Sequence, residues 1–125
     1  MSESSQKGRA LELAVAAALR RKGLDRGARR MSGSGRISHR PGDVFTSIPY
    51  SFECKAVERI NLWACWDQCR NQARLGRPPV LVISGDSRPE LAVVSLDTLL
   101  NLLKIEQDFL ADIPDRAPLG QRRVG

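Results

Sequence analysis

The sequence predicts an α/β fold in which one mixed sheet of about five strands is flanked by helices. Two observations carry this prediction. Segments with helical periodicity alternate with short apolar runs that are bounded by turn residues. One of these runs, residues 80–83, is apolar at every position, which is typical of a central strand covered on both faces.

The elements follow in order along the chain. Apolar spacing predicts a first helix over residues 5–22, which Gly23 ends by taking the left-handed C′ position. A short strand is expected at 28–31, two strands at 44–45 and 50–54, and a helix over 62–75 that ends at Gly76. The run 80–83, a strand at 91–95 and a helix over 97–110 complete the fold. Asn61 or Asn71 can cap the second helix, and Ser95 or Asp97 the third. Trp66 is expected in the core, and Trp63 in the core or at a subunit contact.

Length and composition restrict the class of protein. A chain of 125 residues with a net charge of +6 predicts one domain over residues 1–112, followed by a loose basic tail over 113–125. No apolar run is long enough to span a bilayer, and no signal peptide or nucleotide-cradling glycine motif is evident. We therefore expect an intracellular, cytoplasmic protein without membrane association or nucleotide cofactor. The three cysteines, Cys54, Cys65 and Cys69, are interpreted as reduced core residues.

Positive charge is concentrated between residues 20 and 40, where Asp25 is the only acid. Such a one-sided run is typical of a surface that binds a polyanion, although a basic patch kept for solubility is the alternative. The Gly- and Ser-rich loop over 32–42 offers hydroxyls, amides and cations to phosphates, or is a plain linker. The candidate DNA-binding residues are Arg29, Arg30, Ser32, Ser34, Arg36, His39 and Arg40.

The stretch from Asp43 to Lys55 is the strongest candidate site. It predicts a β-hairpin with its turn at Ile48, in which Asp43 faces Glu53 across the ladder with Cβ atoms about 5 Å apart. The period of two places Lys55 on the same face as Glu53. Two opposed carboxylates repel unless a cation or a proton lies between them. The pattern therefore favours a divalent metal beside a positioned water, and a solvated face with a cross-strand ion pair is the alternative.

Glu12 stands out on the first helix. Its neighbours one turn away are Gly8 and Ala16, so that another group can approach the carboxylate closely. The alternative is an ordinary surface glutamate paired with Arg9 or Arg20.

Taken together, Glu12, the Ser-Gly-Ser-Gly loop at 32–35, Asp43, Glu53-Cys54-Lys55 and Gln68 resemble the PD-(D/E)XK nuclease superfamily. Within it, the pattern is similar to the small archaeal-type Holliday junction resolvases found in archaea and to their phage-borne relatives. The likeness extends over residues 7–100, and Gly42 stands where the superfamily has its first proline. The resemblance implies a restriction-endonuclease-like fold and a homodimer that nicks branched DNA, the four-way junction above all, at two symmetry-related phosphates.

The resemblance also implies roles for single residues. Asp43 and Glu53, with Glu12 and the backbone carbonyl of Cys54, would hold Mg²⁺ or Mn²⁺. Lys55 would be the catalytic lysine, Ser32 or Ser34 would lie near the scissile phosphate, and Gln68 would support the site. Two alternatives stay open: a related nuclease that cuts duplex, flapped or branched DNA, and a non-catalytic DNA-binding protein.

Overall fold

The computed structural model describes residues 3–31 and 43–113. In these ranges the chain is a mixed α/β fold with five strands, as the sequence predicts. The elements in order are α1 (Glu3–Arg21), β1 (Arg29–Arg30), β2 (Val44–Phe45), β3 (Ser51–Ala56), α2 (Leu62–Gln72), β4 (Pro79–Ser84), β5 (Leu91–Val93) and α3 (Leu96–Ala111).

The strands form two hydrogen-bonded sheets, of two and three strands, and not the single sheet that the sequence predicts. β1 and β2 pair antiparallel, with Arg30 opposite Val44. β3 pairs parallel with β4, and β4 pairs antiparallel with β5, in the order β3-β4-β5. Because two parallel strands need a long connection, α2 serves as the crossover from β3 to β4.

The predicted hairpin is wrong as a continuous two-stranded ladder. β2 pairs with β1 instead, and its link to β3 is one main-chain bond, from the Asp43 amide to the Phe52 carbonyl at 2.8 Å. Beyond Phe45 the chain is held elsewhere, since Thr46 and Ser47 donate to the carboxylate of Asp25. Because these bonds hold residues 46–47 at Asp25, β2 and β3 do not pair further as an antiparallel ladder.

The main core lies on one face of the β3-β4-β5 sheet, under α1. Its helical side consists of Leu11, Val15, Ala16 and Leu19, and its strand side includes Cys54, Val80 and Val82. α2 contacts β3 and β4. Because side chains alternate along a strand, Glu53 and Leu81 point away from the α1 core. Leu81 and Cys69 of α2 are the largest fully buried side chains among the described residues.

Helix ends follow the sequence closely, with one shift. α1 ends as predicted: Gly23 has a φ of 74°, its amide donates to the Arg20 carbonyl and that of Leu24 to the Leu19 carbonyl. Asn61 caps α2, and Ser95 caps α3. α2 ends three residues before the predicted Leu75, because Ala73 is already extended and Gly76, with a φ of 82°, belongs to the following turn.

The two tryptophans differ in burial. Trp63 is 75% exposed, so its placement in a core is wrong for the described residues and the subunit contact stays a prediction. Trp66 is half-buried.

The chain divides into two compact units, Met1–Val94 and Ser95–Gly125. The first contains the five strands with α1 and α2, and the second contains α3. The single domain over 1–112 stays a prediction, and residues 114–125 of the expected tail lie outside the described ranges. Among the described residues no helix is both long and apolar enough to cross a membrane.

Candidate active site

Asp43 is fixed by main-chain bonds between β1 and β3. Its carbonyl accepts from the Met31 amide at 2.9 Å, and its own amide donates to Phe52. Its Oδ2 accepts from the Cys54 amide at 2.8 Å, in the place where a ladder would supply a main-chain carbonyl. A carboxylate that takes over a strand's hydrogen bond has a defined position. Asp43 is therefore held directly beside residues 52–54 of β3.

Glu53 is a buried carboxyl, 7% exposed, in the middle of β3. Its pKa is raised from 4.5 to about 8, first by burial and then by the negative charge of Asp43 and a hydrogen bond with that side chain. Glu12 raises it further, and Lys55 opposes the shift. The predicted contact between Asp43 and Glu53 is thus present. One main-chain hydrogen bond, from the Asp43 amide to the Phe52 carbonyl, produces it in place of a hairpin ladder.

This carboxylate pair needs a positive partner when both groups are ionised. Two carboxylates at close range are stable only if a proton or a cation compensates their repulsion. Hard divalent cations such as Mg²⁺ bind oxygen ligands and commonly take one or two carboxylates, with waters and phosphate oxygens completing the shell. No group of three His, Cys, Asp or Glu side chains in the described ranges is placed to hold a metal ion. The donor set of Asp43 and Glu53 nonetheless fits a Mg²⁺ ion that also binds a phosphate.

Lys55 follows Glu53 by two residues on β3 and is half-buried. The ammonium lies close enough to lower the pKa of Glu53. The two side chains share one face of the strand, as the period of two predicts. The site therefore combines two acids with one ammonium at the border of the buried region.

Glu12 belongs to the same region but is paired. Its Oε1 lies 2.7 Å from Nε of Arg30, a partner that the sequence reading did not anticipate. The negative charge of Glu12 contributes to the raised pKa of Glu53, which indicates that Glu12 lies near the Asp43–Glu53 pair. The structure thus brings together Glu12, Asp43, Glu53 and Lys55 from α1, the start of β2, and β3.

The glutamine that reaches the acids is Gln72, not Gln68. With its amide oriented to donate, Nε2 of Gln72 lies 3.0 Å from Oε1 and 3.3 Å from Oε2 of Glu53. Gln68 is exposed one turn earlier on α2. Gln68 and Gln72 are four residues apart and lie on one stripe of the helix. The sequence identifies this stripe, but only the packing of α2 decides which of the two glutamines contacts Glu53.

The thiols near the site are inert core groups. Cys54 and Cys69 are buried, and burial is the main cause that raises both pKa values, to about 12 for Cys69. A thiol that stays protonated is a poor nucleophile and a poor metal ligand. The expectation of free, buried cysteines is confirmed for these two, and Cys65 is free but only half-buried.

The basic run is partly used inside the protein. The Arg20 guanidinium donates to the Ala28 carbonyl at 2.6 Å, and Arg29 stacks over the ring of Phe45 at 4.5 Å. Arg21, Lys22 and Arg26 are exposed. The remaining candidate DNA-binding residues, Ser32, Ser34, Arg36, His39 and Arg40, lie outside the described residues.

Asp25 has a structural role that the sequence reading missed. Its carboxylate accepts from the Gly27 amide, the Thr46 hydroxyl and the Ser47 amide at 2.7–2.9 Å. These hydrogen bonds lower the pKa of Asp25, and the bond from the Ser47 amide has the largest effect. An Asp two residues before a Gly is a common turn signal, and it could have marked this residue.

Comparisons with known protein families, curated proteins and solved structures find no match to this chain.

Proposed function

We propose that this protein is a metal-dependent DNA endonuclease of the PD-(D/E)XK type that acts on branched DNA, with the four-way junction as its substrate. One observation carries the proposal: a buried Glu53 in contact with Asp43, with Lys55 two residues further along the same strand. Holding the buried carboxyl of Glu53 against the half-buried Asp43 is a poor way to stabilise a strand, and a bound divalent cation is the simplest compensation.

The order of elements supports a restriction-endonuclease-like core. A helix, three successive strands, a crossover helix and a parallel fourth strand are present in that order, with Asp43 before the second strand and Glu53 and Lys55 on the third. That is the arrangement expected for the superfamily.

Asp43 and Glu53 would hold the cation, with Glu12 and the Cys54 carbonyl as further oxygen donors. When bound, a divalent ion polarises a phosphate and lowers the pKa of a coordinated water. Gln72, by donating to both oxygens of Glu53, keeps that carboxylate oriented toward Asp43. The Asp43 carboxylate is oriented in turn by the Cys54 amide.

Lys55 supplies positive charge next to Glu53 on β3. It can orient the attacking water, stabilise charge on the attacked phosphate, or act as the general base. Each role needs the side-chain nitrogen near the reacting phosphate, as an ammonium to stabilise charge or as a neutral amine to act as base, and its position two residues after Glu53 meets that need.

The DNA surface would include Arg21, Lys22, Arg26 and Arg29, which are exposed near the end of α1 and on β1. Residues 32–42 join Met31 to Asp43 in the sequence, and the candidate DNA-binding residues among them stay a prediction. A DNA substrate of this kind implies a cytoplasmic, nucleoid-associated protein.

A homodimer is part of the proposal, since a junction is resolved by two symmetric nicks and each chain has one site. Two surfaces expose large apolar side chains that a second copy could cover. One is the start of α2, with Leu62 and Trp63. The other is α3, with Leu96, Leu99, Leu100, Leu102, Leu103, Ile105 and Phe109. Sedimentation at micromolar concentration should give about twice the chain mass of 13.8 kDa.

The decisive experiment compares four-way junction, duplex and single-stranded DNA with Mg²⁺. Wild-type protein should nick the junction symmetrically. Asp43→Asn and Glu53→Gln should each reduce cleavage by a factor on the order of 10³, since each removes several kcal/mol of stabilisation at the reacting phosphate. Asp67→Asn, an exposed acid on α2, is the matched control and should cut normally.

Binding is measured on the same samples in Ca²⁺. The two site variants should still bind the junction, because neither residue needs to contact phosphate directly. Cleavage of plain duplex at an equal rate would favour a related duplex nuclease. Binding without cleavage of any substrate by the wild-type protein would favour the non-catalytic DNA-binding alternative and overturn the proposal.

A further inference from the structure

Arg30 stands at the boundary between the acids and the basic run. By sequence it is a candidate phosphate ligand. In the folded chain its Nε lies 2.7 Å from Glu12, with side-chain exposures of 23% for Arg30 and 17% for Glu12. A guanidinium held in a half-buried ion pair is less available to DNA than an exposed one.

β1 ties this ion pair to Asp43. Arg30 lies opposite Val44 in the β1-β2 ladder, and the next residue, Met31, donates its amide to the Asp43 carbonyl. Arg30 therefore belongs to the same small piece of backbone that fixes Asp43. A group attached to this backbone can hold Glu12 at a constant distance from the acid pair.

The neighbouring Arg29 provides an internal contrast. Alternation along β1 puts its side chain on the opposite face, where it is exposed and stacks on Phe45. An arginine stacked on a ring keeps its in-plane N–H groups available for a phosphate. Two adjacent arginines are thus placed for different tasks.

We propose that Arg30 is a positioning residue that fixes the Glu12 carboxylate toward the Asp43–Glu53 pair, and that it does not bind phosphate. The inference rests on the proposed function for what the acids do. Arg30 acts through Glu12, because its Nε holds Oε1 of that carboxylate in place beside the acid pair. Partners of this kind, one step removed from a metal, commonly change metal affinity by about 10- to 100-fold.

The first test separates Arg30 from Arg29 by salt dependence. Arg30→Gln and Arg29→Gln each remove one charge, and junction affinity is measured against salt concentration without metal. Arg29→Gln should lower the slope of log K against log salt by about 0.9, the value for one lost phosphate contact. Arg30→Gln should leave the slope unchanged. An equal decrease in both variants would overturn the inference.

The second test measures Mn²⁺ binding by calorimetry. Arg30→Gln should weaken binding about tenfold, and Arg30→Lys should restore part of the loss. Glu12→Gln should also weaken binding, and the double variant should be no worse than Glu12→Gln alone, because Arg30 acts through that carboxylate. A purely structural role would reduce the melting temperature without changing Mn²⁺ affinity.

The outcomes distinguish the two proposals. A wild-type chain that binds Mn²⁺ but cuts no DNA overturns the proposed function and leaves the positioning role standing. Equal Mn²⁺ affinity of the wild-type and Arg30→Gln chains, or additive losses in the double variant, overturns the positioning role alone.

Discussion

The two faces of β3 differ in chemistry although both are covered by a helix. Toward α1, Cys54 packs with Val80, Val82 and apolar residues of the helix. Toward α2, the strand presents Ser51, Glu53 and Lys55, of which Ser51 and Glu53 are buried. The Ser51 hydroxyl has no hydrogen-bond partner among the described residues. One face stabilises the fold, and the other buries polar groups at a cost in stability.

This difference indicates that the α2-facing side of β3, around Glu53, is the functional face. A covered strand face is ordinarily filled with apolar side chains, because burying a carboxyl without a compensating charge is unfavourable. Around Glu53 the neighbours are instead Asp43, Gln72 and Lys55. Such departures from good packing are expected at functional sites.

The largest effect that tests this comparison is on pH-dependent stability. Because the pKa of Glu53 is raised from 4.5 to about 8, the folded state binds this proton more tightly than the unfolded chain. The stabilisation is complete below pH 4.5 and is lost as the pH rises through 8. We expect the unfolding free energy of metal-free protein to fall by about 5 kcal/mol over this window.

Glu53→Gln is the control for that measurement. Denaturant unfolding of this variant between pH 5 and 9 should be much flatter, since the titrating group is gone. Added Mg²⁺ should restore stability to the wild-type protein at pH 9 and have less effect on the variant. A pH profile of Glu53→Gln identical to that of the wild type would show that burial of Glu53 is not the cause.

The second effect concerns the apolar part of the α2 face. Leu81, which lies beside Glu53 in the β3-β4 register, is 0% exposed. Leu81→Ala should reduce the unfolding free energy by roughly 3 kcal/mol, because it leaves a cavity that the sheet cannot close. Leu91→Ala, on the 57% exposed end of β5, should change it by less than about 0.5 kcal/mol. Similar losses at both sites would contradict the described packing.

The smallest effect distinguishes the two glutamines of α2. Gln72→Ala removes the donor to Glu53 and should lower cleavage by roughly tenfold, equivalent to about 1.4 kcal/mol for one hydrogen bond. Gln68→Ala should leave the rate unchanged within error. Single-turnover cleavage of the junction measures both, and a larger loss in Gln68→Ala would return the supporting role to that residue.

The sequence by itself determined the order and type of the elements and much of the site. Apolar periodicity located α1, α2, β4 and α3, because these signals depend on neighbours in the chain. Gly23, Asn61 and Ser95 were found at helix ends for the same reason, since capping is a local interaction. The grouping of Asp43, Glu53 and Lys55 also followed from their short separation.

Tertiary structure alone decided which partner each of these groups finds. β2 pairs with β1 because Asp25, 21 residues before Thr46, holds the chain that follows β2. Glu12 meets Arg30 because α1 packs on β1, and Gln72 rather than Gln68 meets Glu53 because of where α2 lies over β3. Contacts between residues distant in sequence depend on the packing of whole elements, and local periodicity contains no record of that packing.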